Sequence, residues 1–203
     1  MIDAQAGEEP RLAPAGEPRL TVVSGPSGVG KSSVLAEVRR QAPEVYFSVS
    51  ATTRAPRAGE IDGEHYHFVS VAEFERMIAA GEMLEHARYA GNLYGTPRGP
   101  VERALAAGQP AVLEIELQGA RQVRRAMPEA NLVMLVPPSW DELVSRLTGR
   151  GTDASAVVRQ RLDTAREELD AAAEFDTTVV NSDVQAATRE LIALIAGRDR
   201  ETG

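Results

Sequence analysis

The sequence predicts an α/β fold: a three-layer domain built on a parallel β-sheet, with a mixed-strand insertion near residues 51–97. Short apolar runs rich in β-branched residues alternate with amphipathic helical patterns, as expected when parallel strands are buried between helices. The length of 203 residues suits one domain with embedded subregions. The chain contains no cysteine, which excludes a disulfide framework, thiol catalysis and a cysteine-ligated zinc site.

Strands and helices are predicted in alternating order along the chain. Strands are predicted at residues 20–23, 44–50, 66–69, 111–115, 132–136 and 177–180, with short strands within 82–94 joined by a turn at Gly91 and Asn92. Helices are predicted from residue 33 and over 70–81, 101–107, 139–150, 153–173 and 184–196. Ser70 and Ser139 each lie three residues before a glutamate, the spacing of a capping box, which predicts where two of these helices begin.

Residues 25–32 lie between the first predicted strand and the first predicted helix, and they fit the pattern G-x-x-x-x-G-K-[ST]. In such a loop, backbone N–H groups point into one concavity, and the N-terminus of the next helix adds positive charge. Lys31 is the one lysine among 22 cationic side chains. Its compact ammonium can meet phosphate oxygens inside a ring of amides, where a guanidinium would be too wide. The predicted contacts with a nucleoside triphosphate are Gly25, Pro26, Ser27, Gly28, Val29, Gly30, Lys31, Ser32 and Ser33, and the Ser32 hydroxyl is expected to bind Mg²⁺.

Charge and hydropathy argue against several other classes of protein. The formal net charge of −8 argues against nucleic-acid binding, which needs a basic stripe. No run of 18 apolar residues is present, so no membrane-spanning helix is expected. Residues 1–18 contain three prolines and four acids and lack the basic start of a signal peptide. We therefore expect a flexible N-terminal tail on a cytoplasmic protein.

Further motifs lie, in order, at residues 48–60, 63–69, 85–96, 113–119 and 146–152. Together they resemble the motifs of guanylate kinases. The resemblance covers about residues 19–197 and implies a P-loop kinase core within a domain spanning 19–203. It also implies a region that binds the nucleoside monophosphate GMP at about 51–97 and a helical lid at about 146–165. ATP and GMP are the implied ligands, with Mg²⁺ accompanying ATP.

The acceptor phosphate is expected to bind where Arg54 and Arg57 bracket Pro56. This constrained turn can hold two guanidinium forks toward one point, and their bidentate geometry suits a doubly charged monophosphate. An isolated Arg-x-x-Arg loop would be read as a solvated basic turn, but the surrounding motifs favour a phosphate site. The resemblance implies that hydroxyls complete the phosphate shell, and these belong to Ser50, Tyr66 and Tyr94.

Glu85 is the expected reader of the guanine base. The N1–H and the exocyclic amine of guanine lie side by side, so a carboxylate can accept from both, and adenine offers neither. The resemblance implies a base contact for Thr96, whose structural alternative is a threonine at a strand end. Glu114 and Glu116 alternate along a predicted strand and are expected on one face. Glu116 stands where the family commonly has aspartate, and it contacts the base, reaches toward Mg²⁺-bound water, or is a salt-bridged acid.

The arginines of the predicted lid are expected to close over the polyphosphate. Arg146 and Arg150 lie four residues apart on one helical face, and Arg161 lies on the following helix. The resemblance matches all three to lid arginines. Phosphoryl transfer depends on positioning and on neutralising charge, so no side-chain base is required. The expected catalytic residues are Lys31, Arg54, Arg146, Arg150 and Arg161.

The implied activity is ATP + GMP ⇌ ADP + GDP by direct in-line transfer, a step of purine nucleotide metabolism. Asn181 lies where the family approaches the adenine of ATP, although Ser182 replaces the usual aspartate beside it. Two alternatives stay open: a phosphopeptide-binding module with the same arginine cradle, and a kinase of another phosphorylated acceptor, such as a ribose bisphosphate. No protein partner is expected, and the chain could be a monomer or a homodimer.

Overall fold

The computed structural model describes residues 18–148 and 155–197. The strands are β1 (Leu20–Ser24), β2 (Tyr46–Phe47), β3 (Ala51–Thr52), β4 (His67–Phe68), β5 (Met83–Tyr89), β6 (Asn92–Pro97), β7 (Ala111–Glu114), β8 (Asn131–Val136) and β9 (Thr177–Val180). The helices are α1 (Lys31–Gln41), α2 (Val71–Ala79), α3 (Arg98–Ala106), α4 (Leu117–Ala126), α5 (Trp140–Thr148), α6 (Ser155–Asp170) and α7 (Val184–Ile195), and a 3₁₀ turn over Ala171–Glu174 follows α6.

The core is a five-stranded sheet in the order β2-β7-β1-β8-β9, and all of its pairings are parallel. Successive side chains of a strand point to opposite faces of the sheet. Val22 therefore packs with the α4 residues Ala120 and Val123 on one face. Its neighbour Val23 packs with Val34 of α1 and with residues of α7 on the other face. The predicted three-layer α/β fold is confirmed.

The inserted strands form a second sheet in the order β4-β3-β6-β5. The β3–β4 pair is parallel, whereas β3–β6 and β5–β6 are antiparallel, so the sheet is mixed as predicted. The β5–β6 hairpin turns through Ala90 and Gly91, whose φ angles of 47° and 82° lie in the left-handed region. Phe74 of α2 is fully buried and packs against Met83 and Leu93, which gives this sheet a small core of its own.

The structure corrects two predictions about local structure. The predicted strand at 111–115 ends at Glu114, and Glu116 is instead the N-cap residue of α4, a helix that the sequence did not predict. Glu114 and Glu116 therefore do not share one strand face. The predicted strand at 44–50 is broken into β2 and β3, because the chain leaves the core sheet after Phe47 and joins the second sheet at Ala51.

Some sequence predictions fall outside the described residues. They concern most of the N-terminal tail, the middle of the lid at 149–154 and Arg150 within it. Across 18–148 and 155–197, none of the helices is both long enough and apolar enough to cross a bilayer.

The capping box at Ser70 leads to a test of local stability. The Ser70 side chain accepts a hydrogen bond from the Glu73 amide at 3.1 Å. Ser70→Ala removes this cap and should lower the free energy of unfolding by about 1 kcal/mol, measured by urea denaturation. Ser70→Asp is the matched control, because its carboxylate can accept the same bond and should keep wild-type stability. Equal stability of the alanine variant and the wild type would contradict the assignment.

Candidate active site

Residues 25–32, here called the phosphate loop, join β1 to α1 at the carboxyl end of β1 and include the first residues of α1. Gly28 and Gly30 have φ angles of 83° and 97°, which glycine adopts without steric cost. A Cβ at Gly30 would come within 2.6 Å of the side-chain amide nitrogen of Asn181, and one at Gly28 within 2.8 Å of Leu147. Backbone angle and close neighbours therefore both require glycine here, as the motif predicts.

Two polar side chains hold the loop from the side of β9 and α5. Asn181 is 3% exposed, and its Nδ2 donates to the carbonyl of Val29 at 2.7 Å. The guanidinium of Arg146 donates to the carbonyls of Val29 and Asn181, each at 3.2 Å. Glu142, one helical turn earlier, accepts from Nε of Arg146 at 3.0 Å. Asn181 thus supports the loop backbone, and its approach to adenine stays a prediction.

Lys31 opens α1 and folds back over its own loop, where Nζ donates to the carbonyl of Gly25. Ser32 and Ser33 follow in the exposed first turn of α1. The Ser32 hydroxyl hydrogen-bonds the carboxylate of Glu114, the last residue of the neighbouring strand β7. Burial raises the pKa of Glu114, and the nearby charge of Lys31 opposes that rise. A cation, a hydroxyl and a carboxylate thus meet beside the loop.

A cavity of about 410 Å³ lies against the phosphate loop and is lined by Ser27, Gly28, Arg146 and Arg161. Arg161 reaches it from α6 and donates to Oγ of Ser27 at 3.0 Å. Two of the three predicted lid arginines therefore border one cavity beside the loop. Such a cationic rim favours an anionic ligand.

Arg54 already binds a carboxylate within its own loop. Its two terminal nitrogens donate to the two oxygens of Glu60 at 2.9 and 2.8 Å, the bidentate geometry expected for a phosphate. The hydrogen bond from Arg54 lowers the pKa of Glu60 to about 2. The guanidinium also lies 5.3 Å from the centre of the Tyr66 ring. Glu60 was not among the predicted site residues, although it ends the first of the motifs.

Some of the other residues predicted to bind the acceptor phosphate lie close to the Arg54–Glu60 pair. The ring of Tyr94 lies edge-on to that of Tyr66, with 6.1 Å between centres. Arg57 is exposed, and its backbone N–H donates to Glu60 at 2.6 Å. Ser50 is half-buried immediately before β3. The structure therefore brings Arg54, Tyr66 and Tyr94 together and leaves the Arg57 side chain toward solvent.

Glu85 and Thr96 form a buried pair across the β5–β6 hairpin. They are 7% and 0% exposed, and the Thr96 hydroxyl donates to Oε1 of Glu85 at 2.7 Å. The second oxygen, Oε2, faces Gly119 in α4 so closely that a Cβ there would lie 3.0 Å from it. Burial raises the pKa of Glu85, and the Thr96 hydrogen bond opposes that rise. Thr96 thus fixes the expected base-reading carboxylate.

Glu168 is a site residue that the sequence prediction missed. It lies on α6, is 6% exposed, and accepts a hydrogen bond from the backbone N–H of Ser27. It also shares a hydrogen bond with the carboxyl of Glu116. Burial, together with Glu116, raises the pKa of Glu168 to about 7, and Lys31 opposes the rise. An acid within a polar helix carries no signal that it is buried, so nothing local in the sequence reveals it.

The fold and the site together define the class of this protein. A parallel sheet whose first strand leads into a glycine-rich phosphate loop, with a lysine at the start of the next helix, is that of a P-loop kinase. The inserted sheet adds the buried carboxylate of Glu85, and the loop between β3 and β4 adds Arg54 and Arg57.

Comparison with known proteins gives the family. The family model described as guanylate kinase matches residues 17–197. The chain is 63% identical over 178 residues to a guanylate kinase of Thermobifida fusca (strain YX), covering 88% of this chain and 91% of that protein. It is 61% identical over 194 residues to a guanylate kinase of Streptomyces coelicolor, covering 96% and 98%. This chain belongs to the guanylate kinase family.

A solved structure agrees with this assignment. The crystal structure of guanylate kinase from Anaplasma phagocytophilum superposes with a TM-score of 0.67 at 31% identity, covering 91% of this chain and 88% of that one. The resemblance seen in the motifs is therefore confirmed. The phosphopeptide-binding alternative and the kinase of another acceptor are not favoured.

The buried Glu168 makes stability depend on pH. Because its pKa is raised from 4.5 to about 7, the folded state binds a proton that the unfolded state has lost, and stability falls as pH rises through this window. Glu168→Gln removes the titration. Relative to wild type, this variant should gain on the order of 1–3 kcal/mol of unfolding free energy between pH 5 and pH 8. Urea denaturation at both pH values measures it.

Glu167→Gln is the matched control for this experiment. Glu167 is the exposed neighbour on the same helix, so its variant should follow the wild-type pH dependence. If the unfolding free energy of Glu168→Gln depends on pH as that of the wild type does, the assignment of a raised pKa to Glu168 is wrong.

Proposed function

We propose that this chain catalyses ATP + GMP ⇌ ADP + GDP by direct in-line phosphoryl transfer. The observation that carries the proposal is the buried Glu85–Thr96 pair, which adds a base-reading carboxylate to a fold that already holds a complete phosphate loop. Family membership supports the same reaction. The donor site is assigned to the phosphate loop, and the acceptor site is assigned to the inserted sheet and the loop that carries Arg54.

The donor phosphates are assigned to the loop at Gly25–Ser33. Lys31 would leave the Gly25 carbonyl and meet phosphate oxygens, exchanging a neutral acceptor for charged ones. Arg146 and Arg161 border the adjoining cavity and would neutralise negative charge on the polyphosphate. Arg150 is assigned the same role from its motif alone. These side chains position the γ-phosphoryl group and offset its charge, which is most of what such a transfer requires.

Residues beside the loop fit a Mg²⁺ ion bound with ATP. The exposed Ser32 hydroxyl would be a ligand, and the oxygen-rich surroundings that include Glu114 suit a hard cation. When bound, the ion would offset negative charge on the phosphate groups.

The acceptor phosphate is assigned to the turn that carries Arg54 and Arg57. Arg54 is held in place by Glu60 and by the aromatic ring of Tyr66, so little side-chain freedom remains to be lost on binding. Arg57 is exposed and can turn toward the phosphate. The hydroxyls of Ser50, Tyr66 and Tyr94 would complete the shell. No acid–base group is needed, because the attacking phosphate oxygen is already anionic.

Guanine is assigned to Glu85, with Thr96 fixing one of its oxygens. A carboxylate accepts from the N1–H and the exocyclic amine of guanine, whereas adenine would leave this buried group unpaired. Glu116 lies at the start of α4. Its two proposed roles remain a contact with the base and a contact with Mg²⁺-bound water. Closure of the lid over the site would exclude water and prevent hydrolysis of ATP.

A panel of nucleoside monophosphates tests the proposed substrate. In a coupled ADP-release assay, kcat/KM for GMP should exceed that for AMP, CMP and UMP by roughly 10⁴-fold. Glu85→Gln should lower kcat/KM for GMP by about 10- to 100-fold, because an amide cannot accept from both guanine donors. The activity should also fall as acid protonates Glu85, whose pKa burial raises.

Glu82→Gln is the matched control, because it removes a carboxylate from the exposed side of the same region and should leave kcat/KM unchanged. Equal turnover of all four monophosphates would refute the assignment of GMP.

Lys31 gives a second test, of the donor site. Lys31→Ala should lower kcat at least about 100-fold, because one preorganised charge on the transferring group is lost. Lys31→Arg should be similarly impaired, since a planar guanidinium does not fit the amide ring. Arg40→Ala removes an exposed cation from the same helix and should keep wild-type activity. An active Lys31→Ala enzyme would remove the phosphate loop from the mechanism.

A further inference from the structure

Glu168 lies where helix α6, the phosphate loop and the start of α4 meet. It is nearly fully buried, although its own helix α6 is otherwise largely polar and exposed. Its carboxyl group contacts the backbone N–H of Ser27 in the phosphate loop and the side chain of Glu116 at the start of α4. Burying an acid is costly unless its hydrogen bonds are made, so these two contacts account for its position.

Arg161 approaches the same loop residue from the same face of α6. It lies seven residues before Glu168, two helical turns, and donates to the Ser27 side chain at 3.0 Å. Between them Ala165 is fully buried against Leu143 and Leu147 of α5. One face of α6 is therefore packed on α5 at its centre and bonded to Ser27 at both ends.

Ser27 lies within the phosphate loop and lines the cavity beside it. It follows Gly25, whose carbonyl holds Lys31, and precedes Gly28, whose φ of 83° turns the chain inward. The backbone N–H of Ser27 donates to Glu168 and therefore has an acceptor within the protein. The bond fixes the position from which the following amides approach the phosphates.

We propose that Glu168 is a positioning residue, which ties the phosphate loop to the lid helix α6 and to the start of α4 and so preorganises the loop for the ATP phosphates. The proposal deepens the proposed function, since it concerns the donor site of that same reaction. The carboxyl group of Glu168 accepts from the Ser27 backbone N–H and shares a hydrogen bond with the carboxyl group of Glu116. Lys31 lies close enough to stabilise the negative charge that remains on the pair.

The test uses two variants of Glu168 in the full chain. Glu168→Gln keeps the shape, accepts from Ser27 through its oxygen and donates to Glu116 through its nitrogen. Glu168→Leu keeps the bulk and removes both bonds. Glu167→Leu, at the exposed neighbouring position, is the matched control. The Kd for ADP is measured by isothermal titration calorimetry without GMP, and KM for ATP, KM for GMP and kcat are measured by the coupled assay.

We expect Glu168→Leu to raise both the Kd for ADP and the KM for ATP about tenfold, with KM for GMP changed less than about threefold. Glu168→Gln and Glu167→Leu should stay within about threefold of wild type in every constant. This donor-side loss and its rescue by glutamine would not follow from a general loss of stability.

Three results would overturn the proposal: wild-type ADP affinity in Glu168→Leu, an equal loss in Glu168→Gln, or an effect on KM for GMP alone. If Glu168→Leu does not fold, Glu168→Asp replaces it, because a side chain one methylene shorter cannot reach both partners. Wild-type ADP affinity in that variant would again overturn the role. The ADP measurement involves no acceptor, so its outcome is independent of whether GMP is the substrate.

Discussion

Every strand of a parallel sheet ends on the same edge, and this constraint gathers the chemistry of the molecule. At that edge β1 leads into the phosphate loop, β7 ends at Glu114, and β9 is followed by Asn181. Residues far apart in the chain thus meet at one edge of the sheet. The loop glycines adopt their positive φ angles without steric cost, and the packing of the strand before and the helix after in the core fixes the two ends of the loop.

The second sheet meets this edge of the core sheet through α4. This helix starts at the end of β7, with Glu116 at its N-cap, and its Gly119 lies against the carboxylate of Glu85. A side chain at residue 119 would press on Glu85, so the absence of one allows the helix and the hairpin to approach. The N-terminal turn of α4 therefore contacts Glu85 through Gly119 and, through Glu116, the Glu168 side chain that binds the phosphate loop.

Features encoded in adjacent residues could be predicted, and those that depend on tertiary contacts could not. The phosphate loop, the caps at Ser70 and Ser139 and the order of the strands depend on short patterns. Helix α4 was missed, although Leu117, Ala120 and Val123 recur at a helical spacing and are buried. The burial of Glu168 arises when separate segments fold together, and the pairing of Arg54 with Glu60 depends on the conformation of the loop that they share, so neither can be derived from spacing.

The bond between Lys31 and the Gly25 carbonyl has a chemical consequence for the whole chain. Because Lys31 is the one lysine of 203 residues, the phosphate loop holds the only side-chain amine that the protein presents to acylating reagents. The arginines elsewhere keep their charge and do not compete for such reagents. Acetylation of a lysine in this protein therefore always neutralises the cation beside the phosphate loop.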